Sequence, residues 1–425
     1  MKGGDALAQA LRACADRLYT VPGYPVTDVA EAVGAELTVN EKVALEYALG
    51  DSLSGRRAAV ILKNVGLNAC ADPLVNATTQ GLRAGVVIVA GDDLSVTASQ
   101  NAQDSRYYGE VAEVPVLEPS GDTIGAALEE AFLASERFSR MAILRVTAGV
   151  LEQEAPAPAC SGARGEGRLA PPDLTMRGRV AAAAQGTAEM FAWARGHPLN
   201  RISGDTVSVG AVEGASRAVT VYPPPAIPPS VRVIREAGRP FLAEHRDLKP
   251  PQPPAKVERM ADRGHARTFC PHCPFKPVMG ILAKKGLSAA CDMGCAILAM
   301  NPPYSVGVAA YGLGSSVAVA ARSTGIALVG DYALLHSGLN ALIDVYERGL
   351  PLLCIVLKNN RLGMVGGTAA FDPVPYLAWA SPVIGDAGDP RLEGLIDAVD
   401  RPRTLVVEGI CPEGESYETV ACGDL

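Results

Sequence analysis

The sequence predicts an α/β chain: two doubly wound parallel-sheet domains with a small α/β middle domain between them. Three observations carry this. Short apolar runs alternate with helical stretches over residues 1–150, the pattern of strands joined by crossover helices. A second strand–helix–strand unit recurs late in the chain, with Ile326–Gly330 as a buried strand, His336–Arg348 as an amphipathic helix ended by Gly349, and Leu352–Leu357 as the next strand. Between them, from Leu151 to about Arg267, Pro-, Ala- and Gly-rich segments such as Glu154–Pro158, Pro223–Pro229 and Lys249–Ala255 read as linkers around a shorter globular stretch. The expected divisions are 1–150, 151–267 and 268–425.

Composition narrows the function classes. The chain has 425 residues, enough for two or three cores, and a net charge of −8 with no Lys/Arg run, which argues against a nucleic-acid partner. No apolar run reaches the roughly 18 residues of a membrane span and no secretory pattern opens the chain, so a cytoplasmic enzyme is expected. Ten cysteines in such a chain point to metal or redox chemistry rather than a disulfide scaffold.

In chain order, strands are expected at Arg17–Thr20, Glu36–Val39, Ala58–Leu62, Val86–Ala90 and Met141–Val146. Helices are expected at Gly4–Cys14, Val26–Val33, Glu41–Ser52, Cys70–Ala84 and Thr123–Ala134. Glu41 follows a strand and opens a helix, with Asn40 as N-cap, so its carboxylate emerges at the end of a strand where α/β sheets bind ligands. The commoner role for such a glutamate is to stabilise the helix dipole. In the middle stretch, Thr206–Val209, Ala218–Tyr222 and Val231–Ile234 are candidate strands and no catalytic constellation is visible.

The last domain holds most of the chemistry. Asp331 and Asn359 would emerge side by side from adjacent parallel strands, and a carboxylate, an amide oxygen and a turn carbonyl suit magnesium. Asn360 is an equal candidate by spacing. Gly312-Leu313-Gly314-Ser315-Ser316 opens an Ala/Val-rich helix whose amides suit a diphosphate, although helix packing explains these glycines as well. His336 suits proton transfer or carboxylate binding, or a satisfied helix-terminal role. Cys270-Pro271-His272-Cys273 presents two thiolates from one turn, a spacing that serves zinc, an iron–sulfur cluster or redox exchange.

Gly330-Asp331, a gap, then Asn359-Asn360 and Leu362-Gly363-Met364-Val365 resemble the thiamin diphosphate motif. The stretch Asn40–Glu46, together with Lys63–Asn68, Ser99–Arg106 and Val114–Ser120, resembles the large subunit of indolepyruvate ferredoxin oxidoreductase. The resemblance implies a thiamin diphosphate-binding fold, with a pyrimidine-binding domain at 1–150, a shortened middle domain, and a diphosphate- and magnesium-binding domain at 268–425. It implies magnesium held by Asp331, Asn359 and the carbonyl of Arg361, with Gly330, Gly312, Gly314 and Ser315 near the cofactor and Glu41 activating it. It further implies a 4Fe–4S cluster on Cys270, Cys273, Cys295 and Cys411, with Cys291 as the alternative ligand. The implied reaction is oxidative decarboxylation of an arylpyruvate-like 2-oxoacid, passing electrons to ferredoxin and the acyl group to coenzyme A. The family's C-terminal ferredoxin-like domain has no counterpart before Leu425, so a ferredoxin-type or second oxidoreductase subunit is the expected partner, in a homodimer or hetero-oligomer. A non-oxidative decarboxylase and a non-catalytic cofactor-binding subunit are the alternatives.

Overall fold

The computed structural model describes residues 1–200, 206–208, 219–224, 232–234, 249–414 and 416–422. Contacts gather the chain into two units, Met1–Ala170 with Val180–Lys256, and Pro171–Arg179 with Val257–Leu425.

The strands of the first unit are β1 (Arg17–Val21), β2 (Glu36–Leu37), β3 (Ala58–Lys63), β4 (Val86–Asp92), β5 (Val116–Leu117), β6 (Ala142–Thr147), β7 (Thr206–Ser208), β8 (Thr220–Tyr222) and β9 (Arg232–Ile234). Seven form one sheet in the order β2-β1-β3-β4-β6-β5-β8, parallel throughout except for β8 against β5. Strands β3, β4 and β6 are near-continuous apolar runs because a parallel sheet is covered on both faces. One face packs Ile61, Val87, Val89 and Leu144 against helices Gly3–Cys14, Thr27–Val33 and Ile124–Phe138. Helices Glu41–Leu53 and Leu67–Gln80 pack on each other, and the first of them against β1 and β3.

Most expected elements of this unit form within a residue or two of their predicted bounds. The helix expected at Cys70–Ala84 instead starts at Leu67 and stops at Gln80, because Gly81 adopts φ +82° and turns the chain away. Of the candidate middle strands, the second becomes β8 and joins the first sheet, while β7 and β9 pair in parallel as a separate two-stranded ladder. Glu236–Leu242, which carries the faint likeness to a middle domain, lies outside the described residues.

The second unit has β10 (His265–Arg267), β11 (Ala290–Cys291), β12 (Ile326–Gly330), β13 (Leu353–Lys358), β14 (Val383–Asp386), β15 (Arg403–Glu408) and β16 (Thr419–Ala421). Five make a wholly parallel sheet ordered β11-β12-β13-β15-β14, and β10 pairs antiparallel with β16. Adjacent β12 and β13 bring Gly330 opposite Leu357, so Asp331 and Asn359 leave the sheet at the same carboxyl edge. The helix expected from His336 in fact begins at Asp331. It runs through a π-helical turn at Leu334–Gly338 before the regular turns of Leu339–Arg348.

Candidate active site

Asp331 is the first helical residue after β12 and is buried. Its Oδ2 accepts the backbone N–H groups of Asn359 at 3.0 Å and Asn360 at 2.6 Å, and its Oδ1 accepts that of Tyr332 at 2.7 Å. Burial pushes the carboxyl above its ordinary range, against the pull of these amides and of the Lys358 charge. The carboxylate therefore clamps the turn that follows β13. Asn359 Oδ1 accepts the Arg361 N–H at 3.1 Å, and Arg361 Nε donates to the Gly367 carbonyl at 3.1 Å, closing a loop at 359–370. Asn360 holds φ +54° and is exposed, whereas Asn359 lines the cavity.

That cavity is about 350 Å³ and is lined by Gly330, Asp331, Asn359, Arg361, Leu313 and Cys295, among others. A second cavity, of about 380 Å³, is lined by Cys270, Cys273, Cys295 and Cys411 and shares Cys295, Asn359, Arg361 and Gly363 with the first. Four thiols separated in sequence thus ring one space. Burial and the neighbouring thiols push Cys273 up to about 12, and burial, Cys411, Cys270 and Asp331 push Cys295 up to about 11. A cationic centre would favour the deprotonated form of both thiols. Among the described residues no three His, Cys, Asp or Glu side chains converge tightly enough to share one metal ion. Cys291 is fully buried in β11, with its Sγ toward the Ala289 carbonyl, and lines neither cavity.

The glycine loop is organised by a residue that sequence reading passed over. Asp292 is fully buried just beyond β11; its Oδ1 accepts from Met293 N at 2.9 Å and Gly314 N at 3.0 Å, and its Oδ2 accepts from Ser316 Oγ at 3.0 Å. Burial holds its carboxyl up at about 7 despite these donors. The Gly314 amide is thereby spoken for, and Gly312, Gly314 and Ser315 are buried behind Leu313, which reaches the cavity. Gly314 holds φ +77°, and a Cβ there would stand 2.3 Å from Gly338 N. His336 is exposed in the π-helical turn, its ring tilted at 44° to that of Tyr332, with Nδ1 3.3 Å from Ser337 Oγ, and lines neither cavity.

In the first unit, Asn40 caps the helix as expected, its Oδ1 accepting Val43 N at 2.8 Å. Glu41 lies half-buried against Gly66, where a Cβ would fall 2.9 Å from Glu41 Oε1. Glu46, further along the helix, is instead buried in an ion pair with Lys42 at 2.5 Å. The turn bearing Gly66 is fastened by Asn64 and Gln103, which exchange hydrogen bonds at 3.1 and 2.9 Å. Behind it lies a buried charge network: Arg145 bridges Asp92 at 2.8 Å and Glu118, and Arg106 pairs with Asp104 at 2.6 Å and Glu118 at 3.2 Å. Asp104 and Arg106 lie in Ser99–Arg106 and Glu118 in Val114–Ser120, but no local pattern pairs them with Asp92 or Arg145.

Over 82% of its length the chain aligns with the indolepyruvate oxidoreductase subunit IorA of Methanothermobacter thermautotrophicus, at 26% identity and covering 72% of that protein. The chain is homologous to the IorA subunits. The IorA of Archaeoglobus fulgidus matches at 39% identity over 160 residues, 34% of this chain and 25% of that protein, so the stretch matched there is about a quarter of the relative's length. Residues 283–386 match the family described as thiamine pyrophosphate enzyme, C-terminal TPP binding domain, a span that holds Asp331 and Asn359. The fold agrees. The thiamine diphosphate-dependent 4-hydroxybenzoylformate decarboxylase of Rhodococcus jostii RHA1 superposes with a TM-score of 0.58 at 15% identity, covering 97% of this chain and 100% of that one. Benzoylformate decarboxylase from Polynucleobacter necessarius gives 0.56 at 13%, covering 96% and 99%. These two establish the thiamin diphosphate-enzyme fold and nothing finer. Among the described residues no helix is long and apolar enough to cross a membrane.

Proposed function

We propose that the chain is the thiamin diphosphate-binding subunit of an oxidoreductase that decarboxylates an arylpyruvate-like 2-oxoacid and passes the electrons through an iron–sulfur centre to a ferredoxin-type partner. The observation that carries this reading is the adjacency of two cavities, one edged by Asp331 and Asn359 and the other ringed by Cys270, Cys273, Cys295 and Cys411, with Cys295 and Asn359 in the wall of both. Coenzyme A is the proposed acyl acceptor.

Each residue has a task that its chemistry suits. Asp331, Asn359 Oδ1 and the Arg361 carbonyl are hard oxygen donors fit for magnesium, which in turn would grip the diphosphate. Thiamin diphosphate, when bound, supplies the carbanion chemistry of decarboxylation. Glu41 would hydrogen-bond N1′ of the aminopyrimidine and hold a proton there. Leu313 offers an apolar wall, and Arg361 a cation in the wall that would suit a substrate carboxylate. The four thiols, once deprotonated, would hold a 4Fe–4S centre, a group that supplies one-electron acceptance.

The deciding experiment incubates the anaerobically prepared protein, alone and with a ferredoxin-type partner, with a panel of 2-oxoacids and follows CO₂ release with and without an electron acceptor. Release that requires the acceptor is expected. Acceptor-independent formation of aldehyde would replace this reading with a non-oxidative decarboxylase, and cofactor binding without release under every condition would replace it with a non-catalytic subunit.

A further inference from the structure

Asn359 stands in the wall of both cavities and makes a contact toward each. Its Oδ1 accepts the Arg361 N–H, which settles which end of the carboxamide is oxygen, and the other end, Nδ2, lies 3.3 Å from Cys411 Sγ. A Cβ built on Gly363 would sit 3.6 Å from the sulfurs of both Cys295 and Cys411 and 3.9 Å from Asn359 Nδ2, so this amide reaches the place where two of the four thiols approach each other. Hydrogen bonds to cysteine sulfur are one of the levers that set the potential of an iron–sulfur centre.

We propose that Asn359 couples the two cavities: the carboxamide whose oxygen would face the metal donates its N–H to Cys411, so that loading metal and cofactor raises the reduction potential of the centre the cysteines hold. The inference rests on the oxidative reading above. Its physical basis is polarisation. A cation at the amide oxygen draws electron density from the C–N unit and makes the N–H a stronger donor, and a stronger N–H···S bond stabilises the more negative, reduced centre. Asn359 is thereby a positioning and tuning residue, distinct from a simple metal ligand.

The test uses the full chain reconstituted with iron and sulfide. Its midpoint potential is read by electron paramagnetic resonance during a redox titration, without substrate, in the presence and absence of magnesium and thiamin diphosphate. A more positive potential on loading is expected for the natural chain. Asn359→Leu, compared in the cofactor-free state so that metal binding plays no part, should be more negative than the natural chain. Protein prepared with ¹⁵N-asparagine should show a nitrogen coupling to the reduced centre that Asn359→Leu erases; the loading experiment, which uses the natural chain alone, stands even if that variant folds poorly. A centre that forms with the same potential loaded and unloaded overturns the coupling while leaving the oxidative reading intact. Failure of any centre to form in the natural chain overturns both.

Discussion

Two buried aspartates with opposite relations to the cavity show how much a single residue's surroundings decide. Asp331 faces the cavity and gathers three backbone amides that shape the Asn359 turn. Asp331→Ala removes a charge and a proposed metal ligand together, and is expected to weaken magnesium-dependent binding of thiamin diphosphate by more than about 100-fold. Unchanged affinity in titration calorimetry would remove Asp331 from the site. Asp292 faces inward, and its carboxyl is held near 7 by burial. Because its folded pKa lies above its unfolded value, the stability it contributes is present below about pH 4 and is lost as pH rises toward 7. Asp292→Asn should flatten this part of the pH profile of denaturant unfolding; an unaltered profile would refute the assignment.

At the scale of elements, a helix start and a tight turn act together. The helix Glu41–Leu53 is capped by Asn40, and the turn Asn64–Gly66 presses against its first residue. Gly66 has φ −64° in the cap position before the next helix, so its lack of a side chain serves space rather than backbone freedom. Gly66→Ala would place a Cβ 2.8 Å from Glu41 Cγ, the flexible part of that side chain, and should cost little stability while displacing the carboxylate. Turnover is expected to fall on the order of 100-fold with cofactor affinity nearly kept, the same direction as a larger loss in Glu41→Gln. If Gly66→Ala turns over normally while Glu41→Gln does not, the turn does not position Glu41.

For the molecule as a whole, the cysteine cavity gives the most visible expectation. Anaerobic purification or reconstitution should yield brown protein carrying iron and acid-labile sulfide, and Cys411→Ser should lower both. Colourless, iron-free protein after reconstitution would leave the thiamin cofactor without an electron exit in this chain.

The α/β class, most of the strands and helices, the capped start of the helix at Glu41, and the meeting of Asp331 with Asn359 were legible in the sequence. They follow from local periodicity, capping chemistry and the strand–helix–strand rule. It took the packing of distant segments to show that Asn359 rather than Asn360 lines the cavity, that Cys291 turns into the core while Cys270, Cys273, Cys295 and Cys411 share one space, and that His336 lines neither cavity. That packing alone revealed Asp292 behind the glycine loop and the Asn359 contact with Cys411. The reason is physical: a side chain's surroundings are set by packing between segments far apart in the chain, and no local pattern records which distant donor, thiol or carboxylate will face it.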